Sequence, residues 1–438
     1  MQLIYKIAVA FFLQIYTVKR SWKRVHIEHN GQLLRLLLHY NVAAACTGEG
    51  WKHGKRIALG AVRSTNDYVG SFLSRTAQFT AENSDYIFGH AGYNLKSETE
   101  GIDCAFPNED GFDAGYYFVP EIVIEQRNSE WWAGCFSEND LLRLEHLLRE
   151  NSNAAPTSEI QLLPVTDAAL YSKQCNSLLS HIRRGDIYEI NYCIDFIGKS
   201  NAVNPIEVFL RLQELSEAPL SVLYRNHNAW LLCASPERFI AKSGTTLQSQ
   251  PIKGTIRRGN TTAEDEALRT QLYNDPKERS ENVMIVDLVR NDLSRIATPA
   301  SVHVPELFGI HTFKTVHQMI STVECEVDAA LSFSEILKAT FPMGSMTGAP
   351  KISALKLAEK HEAQSRGIYS GSVGYILPNG DFDFNVVIRS ITWNAATGHV
   401  SAKAGSAITA KSVPEKEYAE CLLKAKAMMR ALNPASPV

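Results

Sequence analysis

The chain has 438 residues, with 44 Lys+Arg against 47 Asp+Glu and 45% hydrophobic residues. That length fills one large domain or two ordinary ones and buries a substantial core. A formal net charge of -3 gives no electrostatic reason to expect a nucleic acid or an acidic membrane as partner, so a small-molecule enzyme is the starting expectation.

From the N-terminus, Ile7 to Leu13 is an apolar run between Lys6 and the pair Lys19 and Arg20. It is far too short to cross a bilayer as a helix, and the basic start and small-residue cleavage site of a signal peptide are missing. It reads as a buried strand or as an extension from an upstream start codon. Tyr86 to Phe88, Tyr116 to Val119 and Ile122 to Ile124 predict strands between Gly, Asn and Asp turns. Residues 151–158 are a polar, turn-rich seam. The seam divides the chain into an N-terminal region 1–150, a linker or surface loop 151–168 and a catalytic region 169–435. Beyond it helices and hairpins mix in no regular βαβ order, which predicts an α+β fold. The eight cysteines include no C-x-x-C pair, so no zinc knuckle or thioredoxin-like motif is written. Scattered thiols in a chain this long read as reduced, cytoplasmic core residues.

Three local patterns place the chemistry. Asp275-Pro276-Lys277-Glu278 predicts a capped helix start, followed by apolar positions Val283, Val286, Val289 and Leu293. Gly371 to Trp393 predicts a hairpin turning at Asn379-Gly380, with Arg389 near the end of its second strand. Ser412-Val413-Pro414-Glu415 predicts the cap of a last helix with the stripe Tyr418, Cys421, Leu422, Ala425 and Met429. Glu417 and Glu420 share one face of that helix.

Glu281 lies in the first turns of one of these helices, and Glu417 and Glu420 in those of the other. Two helices aiming carboxylates at one spot could hold a hard divalent cation such as Mg²⁺. On spacing alone, solvated first-turn acids complementing the helix dipole are the commoner outcome. The Gly-rich stretch Phe341 to Lys351 runs into a helix and leaves backbone N–H groups open to an anion. It lacks the G-K-[ST] ending of a nucleotide-binding loop, which makes a carboxylate the more natural guest. In Pro251-Ile252-Lys253-Gly254-Thr255 the lysine sits at a strand end beside a flexible glycine, and Arg389 could fork onto a carboxylate.

Taken together these segments resemble the chorismate-utilising enzymes, which comprise anthranilate, aminodeoxychorismate, isochorismate and salicylate synthases. The matched string is Gly185-Asp186-Ile187-Tyr188-x-x-Asn191, Ser235-Pro236-Glu237-Arg238-Phe239, Pro251 to Thr255 and Glu281 to Asp292. It continues through Gly344 to Lys351, Ile388-Arg389 and Ala404-Gly405, and closes at Pro414-x-x-Glu417-x-x-Glu420. The likeness is close over about 170 to 435 and looser before it, through Gly89 to Glu100. It implies two large antiparallel β-sheets packed face to face with helices on the outside, and a site in a cleft between them.

The resemblance also implies Mg²⁺ bridging Glu281 and Glu420 to the ring carboxylate of chorismate, with Glu417 nearby. Gly254, Thr255, Thr347, Tyr375, Arg389 and the backbone at Gly405 would bind the substrate. Glu237 matches the family's general acid for the departing C4 hydroxyl, a role that needs a pKa raised by burial. Lysine at position 253, where anthranilate synthases usually carry Ala, points to the branch that aminates C4 through a covalent lysine adduct. That chemistry leads to the expectation of a depressed Lys253 pKa. Glu189 stands where isochorismate and salicylate synthases have a water-activating Lys and the aminases usually Gln. Gln318 replaces a common His, and Ala404 to Thr409 lacks a second Gly often found there. No Gly-x-Cys-x-Gly glutaminase elbow is visible, so ammonia is expected from a separate glutamine amidotransferase subunit. The competing expectations are anthranilate synthase component I and a non-catalytic subunit that binds chorismate or tryptophan.

Overall fold

The computed structural model describes residues 19–150, 157, 159–314 and 316–435. The apolar run Ile7 to Leu13 and most of the seam 151–158 lie outside the described residues. In the strand Val42–Cys46, Val42, Ala44 and Cys46 join one buried cluster while Ala43 and Ala45 join another, the two-residue period of extended chain. Leu223 parts in the same way from Val222 and Tyr224, and Leu232 from Leu231 and Cys233. Strands apolar on both faces must be covered on both, and that requirement sets the layers. A slip of one residue would exchange the two faces, so the register is closely determined.

Among the described residues twelve strands form the first sheet and ten the second, with every pairing antiparallel. The inter-sheet layer sets Val42, Ala44, Val222, Tyr224 and Leu231 of the first against Phe88, Phe118, Val373 and Tyr375 of the second. Helices Ala168–Arg184, Pro205–Ser216 and Pro414–Leu432 cover the outer face of the first sheet through Tyr171, Phe209 and Cys421. Helices Pro276–Ser294 and Phe333–Thr340 cover the second through Ile285, Val289, Ile336 and Leu337. This is the α+β double-sheet architecture that the resemblance implies. The strand Val42–Cys46 pairs with Leu220–Asn226, and Ile87–Ala91 with Ser372–Ile376, so residues on both sides of the seam share both sheets.

Several local expectations change. Asp275 does cap its helix, its carboxylate accepting from the N–H groups of Lys277 and Glu278. Val283, however, is 43% exposed, and Ile285 takes the buried place beside Val286, Val289 and Leu293. Ser412 does not cap the last helix; its hydroxyl turns back to Ala407 and Thr409, and Val413 occupies the cap position. The hairpin Ser372–Ile376 with Phe382–Asn385 turns through Gly380, at φ +82°. Its expected continuation does not hold: Ser390–Asn394 leaves the second sheet and pairs in the first.

A buried pair braces the Gly-rich segment. Arg366, 3% exposed, donates to both oxygens of Glu362 and to the carbonyls of Met346 and Asn191. Arg366→Met removes the counter-charge of the buried Glu362 carboxylate, leaving it the Cys193 N–H, and takes a donor from two carbonyls. It should cost about 3–5 kcal/mol of unfolding free energy by denaturant titration.

Candidate active site

The chain passes from the first sheet to the second at Ser235–Arg238 and returns at Val386–Ser390, and these two crossings lie side by side. Val386 N donates to Glu237 O at 2.9 Å, and Ala234 N donates to Arg389 O at 3.1 Å. Arg389 has φ +52°, the left-handed backbone needed to turn between sheets. A cleft of about 630 Å³ opens beside the crossings. Of the residues expected in a site, Glu237, Lys253, Gly254, Thr255, Glu281, Arg389, Gly405 and Glu420 line it.

Lys253 reaches the cleft from an edge strand of the second sheet, Ile252–Arg257, whose register slips between Ile252 and Thr255. Gly254 takes up the slip at φ +88°, where a Cβ would also meet Glu278 at 3.1 Å. Across the cleft, Glu189 opens the strand Glu189–Lys199 of the first sheet. Its Oε1 accepts from Lys253 Nζ at 2.8 Å, so the pair ties one sheet to the other. Glu281 approaches on a helix over the second sheet and Glu420 on a helix over the first. Lys277 stands 3.8 Å from Glu281. Lys424 pairs with Glu420 at 2.7 Å and donates to Gly405 O at 2.8 Å.

Three expected residues do not line the cleft. Thr347 is 2% exposed, and its hydroxyl is spent on the carbonyls of Met343 and Gly344. Glu417 is buried three residues before Glu420, with Oε2 lacking a hydrogen-bond partner. Tyr375 lies in the inter-sheet core, its ring 5.5 Å from Trp51 and its hydroxyl donating to Gly54 O at 2.9 Å. Tyr369, in the turn before that strand, lines the cleft instead. Sequence reading also missed Lys403 and Lys424, both in the lining. Lys424 had a legible signal, standing four residues after Glu420 on one helix face. Tyr369 had none, because a turn carries no periodicity that assigns a face.

Burial raises the Glu237 carboxyl to about 7, despite the hydroxyl of Ser345 and the charge of Lys253. Burial likewise raises Glu281 to about 7 against the pull of Lys253 and Lys277. Glu420 is also disfavoured by burial, but Lys424 and the other lysines hold it below the usual range. The expected depressed Lys253 pKa is not found. Burial pulls the amine down, but Glu189, Glu281 and Glu420 outweigh it and hold Lys253 above its ordinary value. Among the described residues, then, the cleft combines a buried neutral-range acid, a charged lysine against a carboxylate, and acids and lysines from two further helices. This is the equipment of an enzyme acting on a small anionic substrate.

The family whose model matches is the chorismate binding enzymes, over residues 40–430, and the chain belongs to that family. Among curated relatives, aminodeoxychorismate synthase component 1 of Escherichia coli K12 is 37% identical, over 79% of this chain and 76% of that protein. The chloroplastic aminodeoxychorismate synthase of Arabidopsis thaliana is 40% identical over 78% of this chain, which spans only 40% of that protein's length. The crystal structure of anthranilate synthase component I from Streptococcus pneumoniae TIGR4 has the same fold. It superimposes with TM-score 0.73 at 22% identity, covering 94% of this chain and 92% of that one.

Proposed function

We propose that this chain is an aminodeoxychorismate synthase component 1, converting chorismate and ammonia to 4-amino-4-deoxychorismate on the way to 4-aminobenzoate and folate. One observation carries the reading: the Lys253 amine and the buried Glu237 carboxyl open into one cleft, between the acids of two helices. The relatives' names support it. Lys253 attacks C2 of the ring, both conjugated ring double bonds shift, and the C4–O bond breaks. Glu237 donates the proton that lets the hydroxyl leave as water. Ammonia then attacks C4 and expels the lysine. Arg389, Thr255 and the backbone at Gly405 hold the substrate's carboxylates.

The acids fit a magnesium ion. Glu281 Oε1 and Glu417 Oε2 are buried carboxylate oxygens without hydrogen-bond partners. Among the described residues no three His, Cys, Asp or Glu side chains form a ready-made metal cluster. Mg²⁺ needs only one or two protein carboxylates beside water and substrate oxygens. Glu281 and Glu420 would hold it, with Glu417 adding negative charge nearby; bound there, it supplies charge to neutralise the ring carboxylate of chorismate. Glu281→Gln and Glu420→Gln should each weaken Mg²⁺ binding in the presence of chorismate by at least about tenfold. Calorimetry without an ammonia source reads this independently of turnover.

The ammonia comes from a separate glutamine amidotransferase subunit. The reading also places the chain in the cytoplasm. In support, all eight cysteines are free and seven are buried. The deciding test is a product assay with purified chain, chorismate, Mg²⁺ and ammonium salt, read by chromatography and mass. A product that keeps the pyruvyl group and gains an amine at C4 is the expected result. Anthranilate would move the chain to the pyruvate-eliminating branch, and isochorismate would mean water replaces ammonia. Untouched chorismate with a glutaminase partner supplied would leave a binding subunit.

A further inference from the structure

Glu189 is 1% exposed, and its strand is bonded on both sides, to Thr409 and to Ala349. Its carboxylate is held at a fixed place behind Lys253, which lines the cleft. One oxygen accepts from the Lys253 amine; the other, Oε2, is buried and has no hydrogen-bond partner. A clamp that only oriented the lysine would need one acceptor, which an amide supplies. Leaving a second carboxylate oxygen bare in a dry site costs stability. The arrangement does keep a proton-accepting position open next to the amine.

We infer that Glu189 is a positioning residue that fixes the Lys253 amine and takes its proton, so that Lys253 meets the substrate neutral. The inference rests on the lysine-adduct reading above. One Nζ–H bond breaks and one O–H bond forms on Glu189; the nitrogen keeps the electron pair with which it attacks. The same proton returns when ammonia expels the lysine. The site offers other carboxylates: Glu278 and Glu281 on the helix over the second sheet, Glu420 on the helix over the first, and Glu237 at the sheet crossing. Lys277, Lys403, Lys424, Arg257 and Arg389 are the other cations of the lining. Glu189 is the one with a hydrogen bond to Lys253, while Glu281 and Glu420 are assigned to the cation and Glu237 to the leaving group. The transfer exchanges an ion pair for two neutral groups.

The test compares wild type, Glu189→Gln, Glu189→Asp and Lys253→Ala in the amination assay across pH, at constant free ammonia. Glu189→Gln should lower kcat by about 10²-fold near neutrality with the KM for chorismate little changed. Its deficit should shrink as pH rises, because solvent then removes the proton that Glu189 no longer accepts. Glu189→Asp keeps the carboxylate, so it should lose rate while retaining the wild-type pH profile. A Glu189→Gln rate that equals or exceeds wild type, or falls by the same factor at every pH, overturns the inference. If Lys253→Ala is inactive in that case, the lysine-adduct reading survives without it. If Lys253→Ala turns over normally, both are lost.

Discussion

Lys253→Ala should abolish amination, leaving less than about 10⁻³ of the wild-type rate, while the protein still folds and binds chorismate. The side chain holds its amine against the buried Glu189 carboxylate, while the other lysines of the cleft are engaged elsewhere: Lys403 with Asp195, Lys424 with Glu420 and Lys277 with Glu281. The substitution also has a stability signature. Lys253 and Glu189 are 12% and 2% exposed as side chains, so removing the lysine leaves a buried carboxylate without its partner. Breaking such a pair costs about 3–5 kcal/mol. Adding Glu189→Gln removes that charge. The double variant should regain thermal stability and remain inactive, which separates the chemical loss from the structural one. Wild-type amination by Lys253→Ala would remove the covalent role.

Glu237→Gln should slow amination by about 10²–10⁴-fold, the range for a positioned general acid. The shape is conserved and the proton is not. With its pKa raised to about 7, Glu237 is protonated on the acid side of neutrality and loses the proton as pH rises. At fixed free ammonia, wild-type kcat/KM should therefore fall on the alkaline side with a midpoint near that value, and the limb should vanish in the variant. Stability should move the opposite way. A carboxyl whose folded pKa lies above its unfolded value stabilises the fold below the unfolded pKa, and this contribution is lost as pH rises to about 7. Glu237→Gln carries no such loss, so at pH 8 its melting temperature should equal or exceed wild type. A lower melting temperature there, with activity retained, would assign Glu237 to structure.

Much of this site could be read one residue at a time. Glu237, Lys253, Glu281 and Glu420 were each named from short ordered motifs, and all four line the cleft. The failures came where a motif names a residue without saying where its side chain goes. Tyr375 was named only through the resemblance, and the sheet it joins turns it against Trp51 and Phe88. Thr347 was likewise named through the resemblance, but its hydroxyl is taken by carbonyls of the 3₁₀ turn. Val283 fits a helical stripe, yet the sheet meets the neighbouring turn of that helix.

The amino-acid sequence by itself carried the family resemblance in short ordered motifs, and through that resemblance the double-sheet fold and the principal acids and lysine, because such motifs are local in the chain. Tertiary structure alone decided that Arg389 sits at a crossing between sheets rather than in a hairpin, that Tyr369 and not Tyr375 faces the cleft, and that Lys253 is held charged. The physical reason is the same in each case. Which sheet a strand joins depends on partners 100 or more residues away, as for Val42–Cys46 and Leu220–Asn226. The charge on Lys253 depends on Glu189, 64 residues away in the chain and 2.8 Å away across the cleft. Electrostatics follows distance in space, and here the fold sets that distance.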